Sequence, residues 1–398
     1  MAHDLTLGDN KSYFQMIMPM YIPRGCRVEL GAKIKKLLKV PLSIVGRIND
    51  PHLARDIIAG GKADLVDLGR QMIADPHFPQ KIAEGKIEDV RQCIACNYCH
   101  GKRIRAIKQI RCAINPWAGR EAELREIKPA SVSQRIIIIG GGIAGLEAAR
   151  WLRRRGHRVS LYEKNHQLGG QGLLAAMPPN KSEIQTFIDF LKRQIEKLGI
   201  EIHLNQEVTP DFVVQQKPDA AIVATGGRQI QPRNIPIDAQ MRSLYAWEVL
   251  LGKEKNLGKR IVVLGGGFVA AEITEFMCER MMAEAITIVE MREAIAFDME
   301  ILFRQMLIAR LQEFGVKMIP NFLVQEVTAT EVIGRDAKNK RIKKLQADCV
   351  VIALGTESVE FPVETIKQAD IEVHIIGDAH EARGIAEAYL AREQGLAI

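Results

Sequence analysis

Three observations in the 398-residue sequence predict an α/β protein built on parallel sheets. Two strand–glycine–helix units recur, at Ile136–Gly145 and Ile261–Ala270, about 125 residues apart. Four of the seven cysteines crowd into one short stretch, at Cys93, Cys96, Cys99 and Cys112. Ahead of them, two more apolar strands each end in Gly-Arg and lead into a helix. A βα unit that repeats within one chain is evidence that both copies are real.

The first unit reads residue by residue. Arg135–Ile139 is a continuous β-branched run, the pattern of a parallel strand buried on both faces. Gly140, Gly142 and Gly145 then supply the tight turn, the close approach to a pyrophosphate and the helix–strand contact. The helix Leu146–Arg155 aims its positive end at the phosphates. A second strand, His157–Tyr162, ends at Glu163, eighteen residues past the last glycine, where a carboxylate accepts ribose hydroxyls.

Further segments bear on which nucleotide the first unit takes. Gln167–Gln171, including Gly170 and Gln171, is a loop able to lie close against an extended nucleotide. Asp219–Val223 is a strand ending in the small residues Ala224, Thr225 and Gly226, as backbone approach to a cofactor requires. Val373–Ile376 is another strand, closing on Gly377 and Asp378, with a helix expected over Gly384–Gln394. Together these resemble the two-dinucleotide-binding flavoproteins. The resemblance implies that the first site takes FAD, with Gly377 and Asp378 at its ribityl and pyrophosphate and the last helix pointing at the flavin ring.

The second unit is inserted between these segments. Strand Arg260–Leu264, the turn Gly265, Gly267 and Ala270, and a helix through Glu279 repeat the pattern, alanine replacing the third glycine as the motif permits. Strand Ala285–Val289 ends at Glu290, whose carboxylate favours the free ribose hydroxyl of NADH and repels the phosphate of NADPH. Arg292 is the opposing signal, since an arginine there accommodates that phosphate. The charge argument favours NADH.

The cysteines are spaced C-x2-C-x2-C-x12-C. Clustered thiolates hold an iron–sulfur cluster or zinc. Zinc sites of four cysteines usually show two C-x2-C knuckles, and Cys112 has no partner two residues on. Disulfides suit secreted chains, and no signal peptide is evident. The spacing favours a 4Fe–4S cluster over zinc, and zinc over disulfides. Lys102, Arg103, Arg105, Lys108 and Arg111 either offset the charge of such a cluster or form a solvated basic loop. Cys26, Cys278 and Cys349 form no C-x2-C or C-x4-C pair, so a dithiol mechanism is unsupported.

Composition bounds the remaining classes. Hydrophobic content of 47% and charged content of 26% are those of an ordinary soluble domain, and no apolar run reaches the length of a membrane span. The net charge of +7 is spread over helices without interleaved aromatics, which argues against nucleic-acid binding. The cysteine usage points to a reducing compartment, and hence to a cytoplasmic protein.

Val40–Arg47 and Ala63–Arg70 read as buried strands, each followed by a helix, the first starting at Asn49-Asp-Pro51. They resemble the seventh and eighth βα units of a TIM barrel, where such barrels hold a phosphate. With VGRIND, ADLVDLGRQMIADP, the cysteine quartet and two flavoprotein units in order, the chain resembles the NADH:flavin oxidoreductases of old-yellow-enzyme type. That family includes 2,4-dienoyl-CoA reductase, 2-enoate reductase and trimethylamine dehydrogenase. The resemblance runs from about Tyr13 to the end and implies possible FMN-phosphate positions at Gly46, Arg47, Gly69 and Arg70.

The fold expected is therefore an incomplete TIM-barrel remnant followed by a 4Fe–4S segment and a two-dinucleotide-binding module. The expected boundaries are 1–90 for the barrel part, 91–130 for the cluster segment, 131–250 with 352–398 for the FAD domain, and 251–351 for the NADH domain. Asp9–Arg24 resembles the tail of the sixth barrel unit, so about two-thirds of a barrel is missing. FMN would bind only if a partner chain or missing segment completed it. The cysteine spacing matches the trimethylamine dehydrogenase branch, and dienoyl-CoA reductases carry one more residue before the third cysteine. Three functional readings follow: an NADH-dependent electron-transfer chain feeding an FMN barrel, a truncated reductase, or a module whose second site holds a nucleotide structurally.

Overall fold

The computed structural model describes residues 3–5, 13–100, 109–122 and 128–382. They divide into two compact units, one drawn from 1–173, 183–226 and 360–398, the other from 174–182 and 227–359. The helix expected over Gly384–Gln394 lies outside the described residues, as do Asp9–Lys11 of the sixth-unit tail. No helix among the described residues is long and apolar enough to cross a membrane.

The first unit opens with a parallel sheet of β1 (His3–Leu5), β2 (Leu42–Ile44) and β3 (Leu65–Val66), in that order. All of β2 is buried, because the helix Pro51–Ala59 lays Ala54 and Ile57 over Ile44 and Ile48. That helix starts where the sequence places it. Asp50 Oδ1 accepts from the His52 N–H at 2.8 Å, and Pro51, which has no N–H to lose, takes the first helical position. On β3, Leu65 is 52% exposed. Among the described residues this sheet has three strands and does not close into a barrel.

The same unit carries a five-stranded sheet. Its strands are β4 (Arg135–Ile139), β5 (Arg158–Tyr162), β6 (Glu201–His203), β7 (Ala220–Val223) and, from far along the chain, β18 (Glu372–Ile375). The order is β18-β7-β4-β5-β6, all parallel. Four of the five β4 residues and all of β7 are buried. Each isoleucine so buried stabilises the fold by roughly 1.5–3 kcal/mol. The helix Ile143–Arg154 covers one face with Leu146, Ala149 and Leu152, and packs on Glu183–Lys197. Trp117, just beyond the cysteines, meets Trp151 of that helix edge-to-face at 5.4 Å, tying the cysteine segment to the first repeat.

The second unit repeats the design. Its strands are β8 (Gly227–Gln229), β9 (Ser243–Tyr245), β10 (Arg260–Leu264), β11 (Ala285–Val289), β12 (Lys317–Ile319), β13 (Phe322–Val327), β14 (Glu331–Asp336), β15 (Ile342–Gln346), β16 (Cys349–Ile352) and β17 (Thr356–Ser358). The parallel sheet runs β9-β16-β10-β11-β12, in which β16-β10-β11-β12 repeats the order β7-β4-β5-β6 and the outer strand β9 precedes its repeat where β18 follows. Even the strand starts match. The Arg135 N–H donates to Asp219 at 2.7 Å and the Arg260 N–H to Asp348 at 2.8 Å. Residues 227–250 fall within this unit, where β8 pairs with β17 and β9 with β16.

Candidate functional site

The first glycine turn sits at the carboxyl end of β4, where the strand order reverses and open α/β sheets bind ligands. Gly140 has φ +111°, and a Cβ there would lie 2.3 Å from the Ala224 carbonyl oxygen. A Cβ on Gly145 would lie 2.0 Å from the Gly140 oxygen. These two glycines serve the fold itself. Gly142 is different: its Cβ would meet nothing nearer than Gly170 Cα at 4.0 Å, so it faces open space at the start of the helix Ile143–Arg154.

The other expected FAD residues gather around this turn. The Gly169 N–H donates to the Gly141 oxygen at 2.8 Å, bringing the Gly170 backbone against Gly142. Gly226, with φ +76°, faces the Gln171 amide, adjoining Thr225, and Gly377, with φ +62°, backs on Ala144 beside Asp378. Glu163 is buried; its Oε2 accepts from the Gly141 N–H at 2.7 Å and its Oε1 from the Asn165 backbone at 2.8 Å. The carboxylate thus braces the glycine turn from the tip of β5. An open cradle at a helix start beside a strand-end carboxylate fits a dinucleotide.

The second turn copies this geometry. Gly265 has φ +102°, and its Cβ would lie 2.4 Å from the Ala353 oxygen; Ala270 is fully buried in the helix Phe268–Glu279. Glu290 Oε2 accepts from the Gly266 N–H at 2.6 Å and Oε1 from the Arg292 N–H at 2.8 Å. The Arg292 guanidinium lies over the Phe297 ring at 4.3 Å. At Gly267 the copy departs, since the carboxylate of Asp298 reaches this helix start and accepts from the Phe268 N–H at 2.9 Å. Ala353, Gly355 and Asp298 were not singled out in the sequence. For the first two the signal was present, since Asp348–Gly355 repeats the Asp219–Gly226 pattern.

The cysteine segment is partly buried: Cys112 is buried, and Cys93, Cys96 and Cys99 are half-buried. Ala95 and Asn97 take φ +48° and +55°, left-handed values that fold the chain around its own sulfurs. The Ala95 N–H donates to Cys93 Sγ at 3.4 Å, and the backbone of Tyr98, His100 and Ile114 does the same for Cys96, Cys99 and Cys112. Burial pushes the Cys96 thiol up to about 12 and Cys99 up to about 11; Cys93 and Cys112 are raised too. The charge of Cys112 would be felt at Cys93, Cys96 and Cys99, so all four share one electrostatic neighbourhood. Among the described residues no three His, Cys, Asp or Glu side chains converge closely enough to hold a single ion. Of the basic residues between the third and fourth cysteines, Lys102, Arg103, Arg105 and Lys108 lie outside the described residues.

The four expected barrel positions have different surroundings. The Arg47 side chain is 2% exposed and is taken up by Glu183 and by the carbonyls of Met20 and Ile22. Gly46 packs on Arg27, and Gly69 faces open space. Arg70 bonds Asn97 between the second and third cysteines and sits within electrostatic reach of Cys93, Cys96 and Cys99.

Residues 134–379 match the family described as pyridine nucleotide-disulphide oxidoreductase, and residues 4–89 match the NADH:flavin oxidoreductase / NADH oxidase family. An NADH oxidase of Thermoanaerobacter brockii is 35% identical over 96% of this chain and 59% of its own length. A cinnamate reductase of Clostridium sporogenes is 31% identical over 96% of this chain and 56% of its own. A solved 2-naphthoyl-CoA reductase superposes on all of this chain with a TM-score of 0.90 at 28% identity, over 60% of its own length. The chain thus spans under two-thirds of the length of these relatives. It belongs to the pyridine nucleotide-disulphide oxidoreductase family, with a segment of an NADH:flavin oxidoreductase / NADH oxidase domain ahead of its two nucleotide-binding folds.

Proposed function

We propose that this chain is an oxidoreductase part that takes electrons from NADH at the second nucleotide fold, through FAD at the first, to a 4Fe–4S cluster held by Cys93, Cys96, Cys99 and Cys112. From there they pass to an FMN-bearing barrel that a partner or further sequence completes. The observation that carries the reading is the order within one chain: a three-stranded barrel segment, a four-cysteine segment, and two parallel-sheet nucleotide folds. When bound, FAD accepts a hydride from NADH, and a cluster takes the two electrons one at a time.

The residues divide the work. Gly140 and Gly145 close the turn, Gly142 and Gly170 leave its backbone open to the FAD pyrophosphate, and Glu163 holds the turn while offering its remaining lone pair to the ribose. Glu290 does the same for NADH. With Arg292 stacked on Phe297, the negative charge of Glu290 sets the preference against a 2′-phosphate. The C-x2-C-x2-C-x12-C spacing and the backbone N–H received at each sulfur suit a polynuclear cluster more than one zinc ion. Arg70 supplies positive charge beside it.

The relatives' names include an NADH oxidase and a cinnamate reductase, which supports a reductase of activated alkenes for the whole assembly. The chain purified without oxygen should oxidise NADH with ferricyanide and reduce no activated alkene unaided. Alkene reduction by the chain alone, or tight FMN in it, would contradict the reading of an incomplete barrel.

A further inference from the structure

The two nucleotide folds differ at one place that matters for ligand entry. In both, the loop after the second strand turns back over the glycine turn and donates to it: Gly169 N–H to the Gly141 oxygen at 2.8 Å, Ala296 N–H to the Gly266 oxygen at 2.6 Å. Two residues further along, the first fold has the neutral Gln171 and the second has Asp298. In the first, a Cβ on Gly142 would meet only Gly170. In the second, Asp298 Oδ1 accepts from the Phe268 N–H at 2.9 Å, and a Cβ on Gly267 would lie 3.3 and 3.8 Å from its two carboxylate oxygens.

We infer that Asp298 is a built-in anionic occupant of the phosphate end of the second fold, which a pyridine dinucleotide must displace in order to bind. The inference rests on the reading of this fold as the NADH site. A helix start attracts one anion well, and the carboxylate already satisfies the N–H and partial charge that the pyrophosphate would use. A second anion brought alongside is repelled. The loop that carries Asp298 is pinned at several points. Ala296 has φ +51°, its N–H bonds Gly266, and Arg304 Nε donates to the Ile295 oxygen at 2.8 Å. Asp298 therefore stays in place until a ligand competes for the helix start. It lowers the affinity of the site for every phosphate-bearing ligand that must displace it.

The test is a binding titration of the full chain with NADH and with ADP-ribose, in wild type, Asp298→Asn and Glu290→Ala. Asparagine caps a helix as well as aspartate does, so Asp298→Asn removes the charge and leaves the fold supported. Asp298→Asn should bind both ligands about tenfold tighter, with the gain shrinking at high salt. Equal or weaker binding by Asp298→Asn, while Glu290→Ala weakens binding, would overturn the role of Asp298 and leave the NADH site standing. Binding that is indifferent to Glu290→Ala would instead remove the site reading, and this inference with it.

Discussion

The three glycines of the first turn separate folding from binding, and Gly142→Ala is the sharpest way to show it. Gly142 has φ −74° and ψ −178°, which alanine adopts without strain, and its Cβ would touch only Gly170 Cα at 4.0 Å. Alanine caps a helix less well than glycine, but it also restricts the unfolded chain; the two effects oppose and leave stability within about 1 kcal/mol. The added methyl fills the space at the helix start that a pyrophosphate needs. FAD affinity should fall at least about a hundredfold, roughly 2.8 kcal/mol. Gly145→Ala behaves in the opposite way, since its Cβ would stand 2.0 Å from the Gly140 oxygen, a backbone atom with nowhere to go. That variant should lose about 3 kcal/mol or more of stability. Urea denaturation of flavin-free protein gives the stabilities, and quenching of FAD fluorescence gives the affinities. A folded Gly142→Ala chain that binds FAD within threefold of wild type would place the pyrophosphate elsewhere.

Two further outcomes follow from the buried groups. In the iron-free chain the fold favours the protonated thiols, since burial raises Cys96 from 9.0 to about 12 and Cys99 to about 11. This stabilisation is complete below about pH 9 and is lost as pH climbs through those raised values, so the urea midpoint should fall at alkaline pH, and less so in Cys96→Ser; a flat profile would contradict the burial. Arg47→Ala should cost about 2–4 kcal/mol in the same assay, because Glu183 and two carbonyls lose a buried donor. A loss below about 1 kcal/mol would contradict that buried pairing.

The parts written in local pattern were legible. Arg135–Ile139, Arg260–Leu264 and Ala285–Val289 form strands with the bounds that their β-branched runs give, and the second-repeat helix ends at Glu279 as expected. The barrel strands are shorter than their apolar runs, Leu42–Ile44 within Val40–Arg47, since a strand extends only as far as its neighbours pair with it. What escaped depends on distant partners. Arg47 finds Glu183 136 positions away, and no local pattern distinguishes that pairing from a phosphate contact. Asp298 lies in an irregular loop whose position is set by the bond from Ala296 to the glycine turn. The antiparallel sheet β13-β14-β15 was missed because its strands alternate only weakly and β15 is mostly exposed.

Electron flow from NADH through a flavin to an iron–sulfur cluster is the central claim, and one anaerobic titration addresses it. The chain is purified without oxygen, assayed for iron, sulfide, zinc and FAD, and titrated with NADH while absorbance and low-temperature EPR are followed. The expected result is about four irons and four sulfides per chain with one FAD, bleaching of the flavin absorbance by NADH, and a paramagnetic signal from a reduced cluster. Stoichiometric zinc without sulfide, or a flavin that NADH leaves unbleached, would contradict the account.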